Sequence, residues 1–223
     1  MNLSKASVEI LKNYATINQG LVVKEGKSLR TISPNKAVMA EATIEEEFDR
    51  EFGIYDLHKF LGLISMAKDT VSIELGDEYV TVNHALGKIR QRYSPTNLIL
   101  SPPNKSINIT EYAVELDLSE DKLEWIFNVA AILKAPNVVI RGDANGIEIA
   151  AMDVKGEIVD DASTFVDGIA TVEFQAVIKV ENLKLIPGEY KVKLSDKMVS
   201  KFEHATKKLH YFVALEKDSS KFN

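Results

Sequence analysis

One stretch of this chain is written twice. Ser4 precedes a run in which Val8, Leu11 and Ala15 share one side, with Ile10, Tyr14 and Ile17 beside them. Lys5, Glu9, Lys12 and Thr16 fall at i, i+4, i+7 and i+11 and form one narrow polar stripe. That spacing is an amphipathic helix with Ser4 as its N-cap. A shift of 115 residues, from Ser4 to Ser119, brings the pattern back. Glu124 then stands where Glu9 stood, Asn128 matches Asn13, Ala130 matches Ala15 and Ile132 matches Ile17. Each copy is followed by strand, turn and strand; in the second the turn is Asp143-Ala144-Asn145-Gly146. A repeat of this length asks for two pseudo-equivalent halves made from the same elements in the same order.

A weaker repeat lies within each half. Asp56 caps a second helix bearing Leu57, Phe60, Leu61 and Ile64, an i, i+3, i+4, i+7 face. Strands follow at Thr70–Leu75, Glu78–His84 and Lys88–Tyr93. In the second half a strand, ATVEFQAVIKV, leads to a short helical turn, ENLKLI, ended by Pro187-Gly188. Strands follow at Glu189–Leu194, Ser200–His204 and Leu209–Leu215. The chain thus approximates four copies of strand, helix and three strands, two per half. The proline-containing stretch Ser94–Ser106, SPTNLILSPPNKS, lacks periodicity and reads as the linker. The expected organisation is α+β: an N-terminal domain over 1–108, including the linker at 94–106, and a C-terminal domain over 109–223.

Several function classes fall away. The stretch GLVVKEGKS, Gly20 to Ser28, approaches a phosphate-binding loop, but five residues separate its glycines instead of four. Leu21-Val22-Val23 favours a strand, and no helical period follows Ser28, so Glu25-Gly26 reads as a hairpin turn. After it come two strands around Ser33-Pro34-Asn35. The absence of cysteine excludes disulfides and thiolate metal sites. No apolar run has the length of a membrane span, and MNLSKASVEI is not a signal peptide. The four histidines, His58, His84, His204 and His210, are dispersed; His204 and His210 lie on two strands without a third ligand. Asp153, Asp160 and Asp161 sit in a loop-rich stretch where solvated carboxylates are the commoner outcome. No catalytic residue, metal ligand or cofactor is assigned. Trp125 reads as a partly buried helix aromatic or an interface contact.

The repeat resembles DNA sliding clamps, and specific stretches sharpen the resemblance. Leu3–Asn18 (LSKASVEILKNYATIN), Phe52–Ser65 (FGIYDLHKFLGLIS), Ser101–Ser106, Ile186–Leu194 (IPGEYKVKL) and His210–Ser219 (HYFVALEKDS) resemble the sliding clamp of T-even-type bacteriophages. The resemblance covers nearly the whole chain in order. It implies two sliding-clamp domains per chain, each with two helices packed on antiparallel sheets, and a homotrimeric ring. Helices would line the hole and strands the outer wall. It implies sequence-nonspecific passage of duplex DNA, a polymerase as partner, an ATP-driven clamp loader, and the cytoplasm of an infected bacterium as location.

Under that resemblance the net charge of −6 suits an acidic outer wall around a few interior lysines. Lys5 and Lys12 on the first helix and Lys59 on the second lie opposite the apolar faces, and Lys122 and Lys184 flank the third helix and the short fourth element. These five are the expected DNA contacts. The third helix departs from the pattern, since its polar face carries Asp121, Glu124 and Asn128. Lys88, Arg90 and Arg92 alternate along a strand, share one face and are assigned outside. Family clamps bind partner tails in an apolar pocket, and the positions resembling it are Ile32, Met39, Leu98, Ile99, Leu100 and Phe212. From the residues alone, two other readings stay open: a scaffold module with the same repeat, and an α+β enzyme using Asp160 and Asp161.

Overall fold

The repeat is visible strand by strand. The computed structural model describes every residue except 67–70, 106, 108, 110 and 157–159, and the chain divides into two units, Met1–Asn104 and Lys105–Asn223. The first holds β1 (Asn2–Leu3), α1 (Lys5–Ile17), β2 (Leu21–Val23), β3 (Gly26–Ile32), β4 (Val38–Phe48), β5 (Phe52–Ile54), α2 (Leu57–Ser65), β6 (Val71–Leu75), β7 (Tyr79–His84) and β8 (Gly87–Arg92). The second holds β9 (Val114–Leu118), α3 (Glu120–Leu133), β10 (Asn137–Asp143), β11 (Gly146–Met152), β12 (Ala162–Ala170), β13 (Phe174–Lys179), β14 (Tyr190–Ser195), β15 (Val199–His204), β16 (Leu209–Ala214) and β17 (Lys221–Phe222).

The pairings repeat as well as the order, all of them antiparallel. The ladder β1-β6-β7-β8 in the first unit corresponds to β9-β14-β15-β16 in the second. Likewise β2 pairs β5 as β10 pairs β13, and β3 pairs β4 as β11 pairs β12. The second unit adds β10–β11 and β12–β9 pairing, which joins its three ladders into one sheet, and β17 on the edge of β13. Both ends of the repeat are therefore the same piece of topology carried by different side chains.

Local chemistry places the helices. Ser4 Oγ accepts from Ser7 N at 3.2 Å, Asp56 Oδ1 from Lys59 N at 2.9 Å and Ser119 Oγ from Lys122 N at 3.4 Å, so α1, α2 and α3 begin on the caps expected. Ile10, Leu11, Tyr14, Ala15 and Ile17 of α1 are buried, as are Leu57, Phe60, Leu61 and Ile64 of α2. The fully buried Tyr14 donates its hydroxyl to Leu29 O at 3.1 Å. In the second unit Tyr190 donates to Ile186 O at 2.6 Å, and Ile186 N donates to the Tyr211 hydroxyl at 3.3 Å. These three phenols thus enter the cores with their oxygens satisfied, whereas the buried Tyr93 hydroxyl has no hydrogen-bond partner among the described residues.

Two expectations are corrected. Glu25-Gly26 is a turn, with Gly26 at φ +103°, but β2 and β3 do not form a hairpin ladder. The chain changes partner there: β2 pairs β5 while β3 pairs β4, with a register shift between Gly26 and Ser28. The helical turn expected in ENLKLI is only a 3-10 turn, Val180–Asn182. Few residues separate β13 from Pro187, too few to repay helix nucleation. The expected Ser33-Pro34-Asn35 turn is present, closed by Ser33 N to Val38 O at 2.8 Å and Val38 N to Ser33 Oγ at 3.0 Å.

Candidate nucleic-acid interface and partner surface

The polar stripe of α1 is fixed from beneath by an inward-facing glutamate. Along β4 side chains alternate, and Glu46 falls on the same face as Ala42, Ile44 and Phe48, with 9% of its surface exposed. A buried carboxylate is costly unless it is hydrogen-bonded. Glu46 sits at the N-terminus of α1, where it accepts from Ser4 N and from Ser7 Oγ, while Ser4 Oγ donates to Ser7 Oγ at 3.0 Å. The positive end of the helix and these donors hold the charge. Burial pushes the Glu46 pKa up, but the Ser7 and Ser4 hydrogen bonds outweigh it and leave the carboxyl below its ordinary value. At the other end of α1, Leu57 N donates to Gln19 O at 2.8 Å and ties on the start of α2.

On this platform Lys5, Glu9, Lys12 and Thr16 line up along one side of α1; Lys5, Lys12 and Thr16 are exposed. Lys5 and Lys12 stand two turns apart, about 10 Å along the axis. Lys59 is exposed on α2 and Lys122 is half-buried on α3. None of Lys5, Lys12, Lys59 and Lys122 enters an ion pair among the described residues, so their charge is available to an anion. The cations of β8 differ: Lys88 lies 3.4 Å from Glu74 and Arg92 3.5 Å from Glu78. Along β8 Lys88, Arg90 and Arg92 are exposed, while Ile89 and Gln91 are half-buried, the alternation expected. Lys184 is half-buried beside Leu183, and α3 exposes Asp121, Glu124 and Asn128. Lysines on exposed side chains, without converging base-reading groups, suit phosphates of any sequence.

The six apolar positions divide by accessibility. Ile32 pairs Met39 across the β3–β4 ladder; Met39 is buried and Ile32 half-buried. Leu98 and Leu100 are 64% and 40% exposed, but Ile99 between them is buried. It lies over Gly20 and Gly53, where an added Cβ would come within 3.0 and 2.8 Å of its side chain. The two glycines create the seat for that isoleucine, a contact across distant sequence that periodicity does not reveal. In the second unit Phe212 is buried beneath the His210 ring, centroids 5.3 Å apart, and the Lys201 ammonium, 5.8 Å from its centre. Sequence reading missed Lys201 as well as Glu46. The β15–β16 register, Lys201 opposite Phe212, is what brings the lysine there.

Among the described residues no three His, Asp or Glu side chains gather as they would to hold a metal ion. His84 Nδ1 accepts from Leu86 N at 3.2 Å, and His204 Nδ1 accepts from Thr206 N at 3.2 Å and Lys207 N at 3.3 Å, both in turns. Asp153 Oδ1 accepts from Lys155 N at 2.9 Å, and Asp160 and Asp161 are exposed. No described helix is long and apolar enough to cross a membrane.

Comparison with known proteins settles the family. Residues 4–91 match the family described as DNA polymerase processivity factor, and residues 114–217 match that of the gp45 sliding clamp, C terminal. The sliding clamp of Enterobacteria phage T4 is 31% identical over 235 residues, covering 99% of each chain. The chain belongs to the phage sliding-clamp family. The sliding clamp of Escherichia phage RB69 is 29% identical over 232 residues, again covering 99% of each chain. A. fulgidus PCNA, solved with the C-terminal region of FEN-1 bound, superposes with a TM-score of 0.73 over 95% of each chain. At 15% identity that likeness is one of fold. The clamp fold accounts for the doubled topology: each matched region carries one copy of the repeat, and the stretch containing Leu98–Leu100 lies between them.

Proposed function

We propose that three copies of this chain close into a ring around duplex DNA and tether a DNA polymerase to it. The observation that carries the reading is the element-for-element repeat, with unpaired lysines displayed on α1 and α2. A processivity factor must hold DNA by topology and slide, so specific base contacts would act as brakes. A few exposed lysines supply diffuse, salt-screened attraction, and nothing in the reading requires turnover or a cofactor. Since a closed ring cannot thread onto DNA without ends, the reading includes an ATP-driven loader. It places the protein in the cytoplasm of an infected bacterium. Partner tails would enter beside Ile32, Leu98 and Leu100 of the first unit, with Met39 and Ile99 as buried apolar neighbours there, and Phe212 is a candidate contact on the second unit.

The free edges support head-to-tail closure. β8 ends its sheet and carries Lys88, Arg90 and Arg92. The first half of β12, Ala162–Val166, pairs only β11 among the described residues, follows Asp160 and Asp161, and exposes 73% of Phe165. Each copy thus has one free strand edge to offer and one to receive, and a heterologous contact closes into a ring when its rotation permits.

The test is primer extension by the cognate phage polymerase on primed circular DNA, with the loader and ATP. The protein should lengthen products on the circle and lose this effect once the template is linearised and its ends are free. Equal stimulation of both templates contradicts encirclement.

A further inference from the structure

One row of the second unit's sheet breaks a pairing rule. On β14, Tyr190, Val192 and Leu194 are buried, and Lys191 and Lys193 take the opposite face. The registers set Lys193 opposite Lys201 on β15, and Lys201 opposite Phe212 on β16, in a row across three strands. Like charges directly opposite each other weaken a sheet. The cost is raised here, because the side chains of Lys193 and Lys201 are only 22% and 21% exposed. Breaches of this kind gather at functional sites.

One carboxylate serves both charges. Lys193 Nζ lies 3.1 Å from Glu203 and Lys201 Nζ 2.5 Å. Glu115, opposite Lys193 in register, is taken by Lys191 at 3.1 Å. Among the described residues no other carboxylate pairs with Lys193 or Lys201, so the pair carries one positive charge in excess. Burial pushes the Glu203 carboxyl up, but the hydrogen bonds from Lys201 and Lys193 outweigh it and hold the group below its ordinary value. Each ammonium also lies over a ring, Lys193 5.6 Å from the centre of Tyr112 and Lys201 5.8 Å from that of Phe212. Two cations are thus held in place beside apolar rings, and a second carboxylate would balance them. An acidic side chain flanked by apolar ones fits both the charge and the rings. Phosphates of the duplex do not compete in the ring reading, which turns the strands outward.

We propose that Lys193 and Lys201 form the polar half of the partner-tail site, taking the side-chain carboxylate of an aspartate or glutamate of the polymerase tail beside Phe212. The inference rests on the tail-docking reading above and names the charge that the tail must carry. Neighbouring strands lie about 5 Å apart, so the acidic residue stands within two positions of the one that reaches Phe212.

The test is fluorescence polarisation with the full-length protein and a fluorescein-labelled peptide of the cognate polymerase's tail, its terminal carboxyl amidated so that only side-chain carboxylates remain. Saturable binding is expected. K201M keeps a stem over Phe212 and removes the charge; it should weaken binding about tenfold, and K201R should retain it. Asparagine and glutamine in place of the tail's aspartates and glutamates should weaken binding to the wild-type protein about as much. K201M should then add little, because both changes remove the same contact. K191M, on the same face but paired with Glu115, should bind as wild type does. Losses from K201M and from the substituted peptide that multiply independently overturn the proposal. So does a tail without an acidic residue, or one that binds only with its terminal carboxyl free. A wild-type protein that binds neither the amidated nor the free-acid peptide contradicts the tail-docking reading as well. Binding that ignores both changes overturns this inference alone.

Discussion

The two units run the same topology, and they differ most where α2 faces its counterpart. In the first unit a helix of Leu57–Ser65 inserts four apolar side chains against α1. In the second, the run from Val180 to Gly188 covers the equivalent ground with a 3-10 turn and a Pro-Gly corner. The strand ladders on either side are paired alike. The sheets therefore specify the fold, and the helix layer is where the two copies are free to diverge. The divergence extends to charge: under the 115-residue shift Lys5 gives way to Glu120 and Lys12 to Phe127, while the exposed Glu9 is kept as Glu124.

The largest effect should come from breaking the helix layer where it is complete. Phe60→Ala removes a buried ring and should cost about 3–5 kcal/mol in urea unfolding. Leu185→Ala, at the open counterpart, should cost about 1–2 kcal/mol, because that side chain is only half-buried. Equal costs would mean that this run is as well packed as the α1–α2 contact.

Gly188 comes next. Its φ is +143°, and an added Cβ would lie 2.6 Å from the His204 ring. Gly188→Ala should destabilise by about 2–4 kcal/mol through strain and overpacking. Gly62→Ala on the exposed side of α2 meets nothing within 4 Å and should stabilise by about 0.5–1 kcal/mol. Thermal melts of the two variants should shift in opposite directions.

Glu46 sharpens the comparison at a smaller scale, because it anchors α1 from β4. Glu46→Gln should cost about 1–2 kcal/mol at neutral pH. The folded-state pKa of Glu46 lies below its ordinary value. Its stabilisation is therefore fully present above the unfolded-state pKa and is lost as pH falls through the folded one. Wild type and Glu46→Gln should converge in stability on acidification and diverge toward neutrality, as followed by denaturant midpoints across the acidic range.

The smallest effect concerns DNA. Lys12→Ala should reduce the steepness of the salt dependence of DNA association by about 0.9 for each phosphate that goes unneutralised, with little dependence on sequence. Glu124→Lys should increase it by a similar amount if α3 faces the duplex. A sequence-dependent loss with Lys12→Ala would contradict a purely electrostatic track.

Much of the architecture is readable in the chain because it is local. Ser4, Asp56 and Ser119 announce their helices, and the i, i+3, i+4 apolar faces of α1 and α2 are the faces that are buried. The repeat itself shows in spacing, since α1 and α3, β3 and β11, and the strands β6–β8 and β14–β16 keep nearly the same lengths. What stays hidden depends on partners distant in sequence. Glu46 sits in the run Glu45-Glu46-Glu47; alternation with Ile44 and Phe48 turns it inward, but the helix N-terminus that holds it there lies far away in sequence. The partner exchange between β2 and β3 rests on β5, far down the chain. Ile99 is held by Gly20 and Gly53, while its neighbours Leu98 and Leu100 remain accessible, a distinction no hydropathy pattern draws. Among the candidate DNA contacts, exposure is legible from helical phase, but the pairing that neutralises Lys88 and Arg92 on β8 requires the β6–β7–β8 registers.

Ring closure is tested most directly by the mass of the untagged protein in solution, measured by sedimentation equilibrium over a range of concentrations. The account predicts a species of three times the 24.8 kDa chain mass, falling toward one chain only on dilution. A single 24.8 kDa species that persists at the highest concentrations contradicts it.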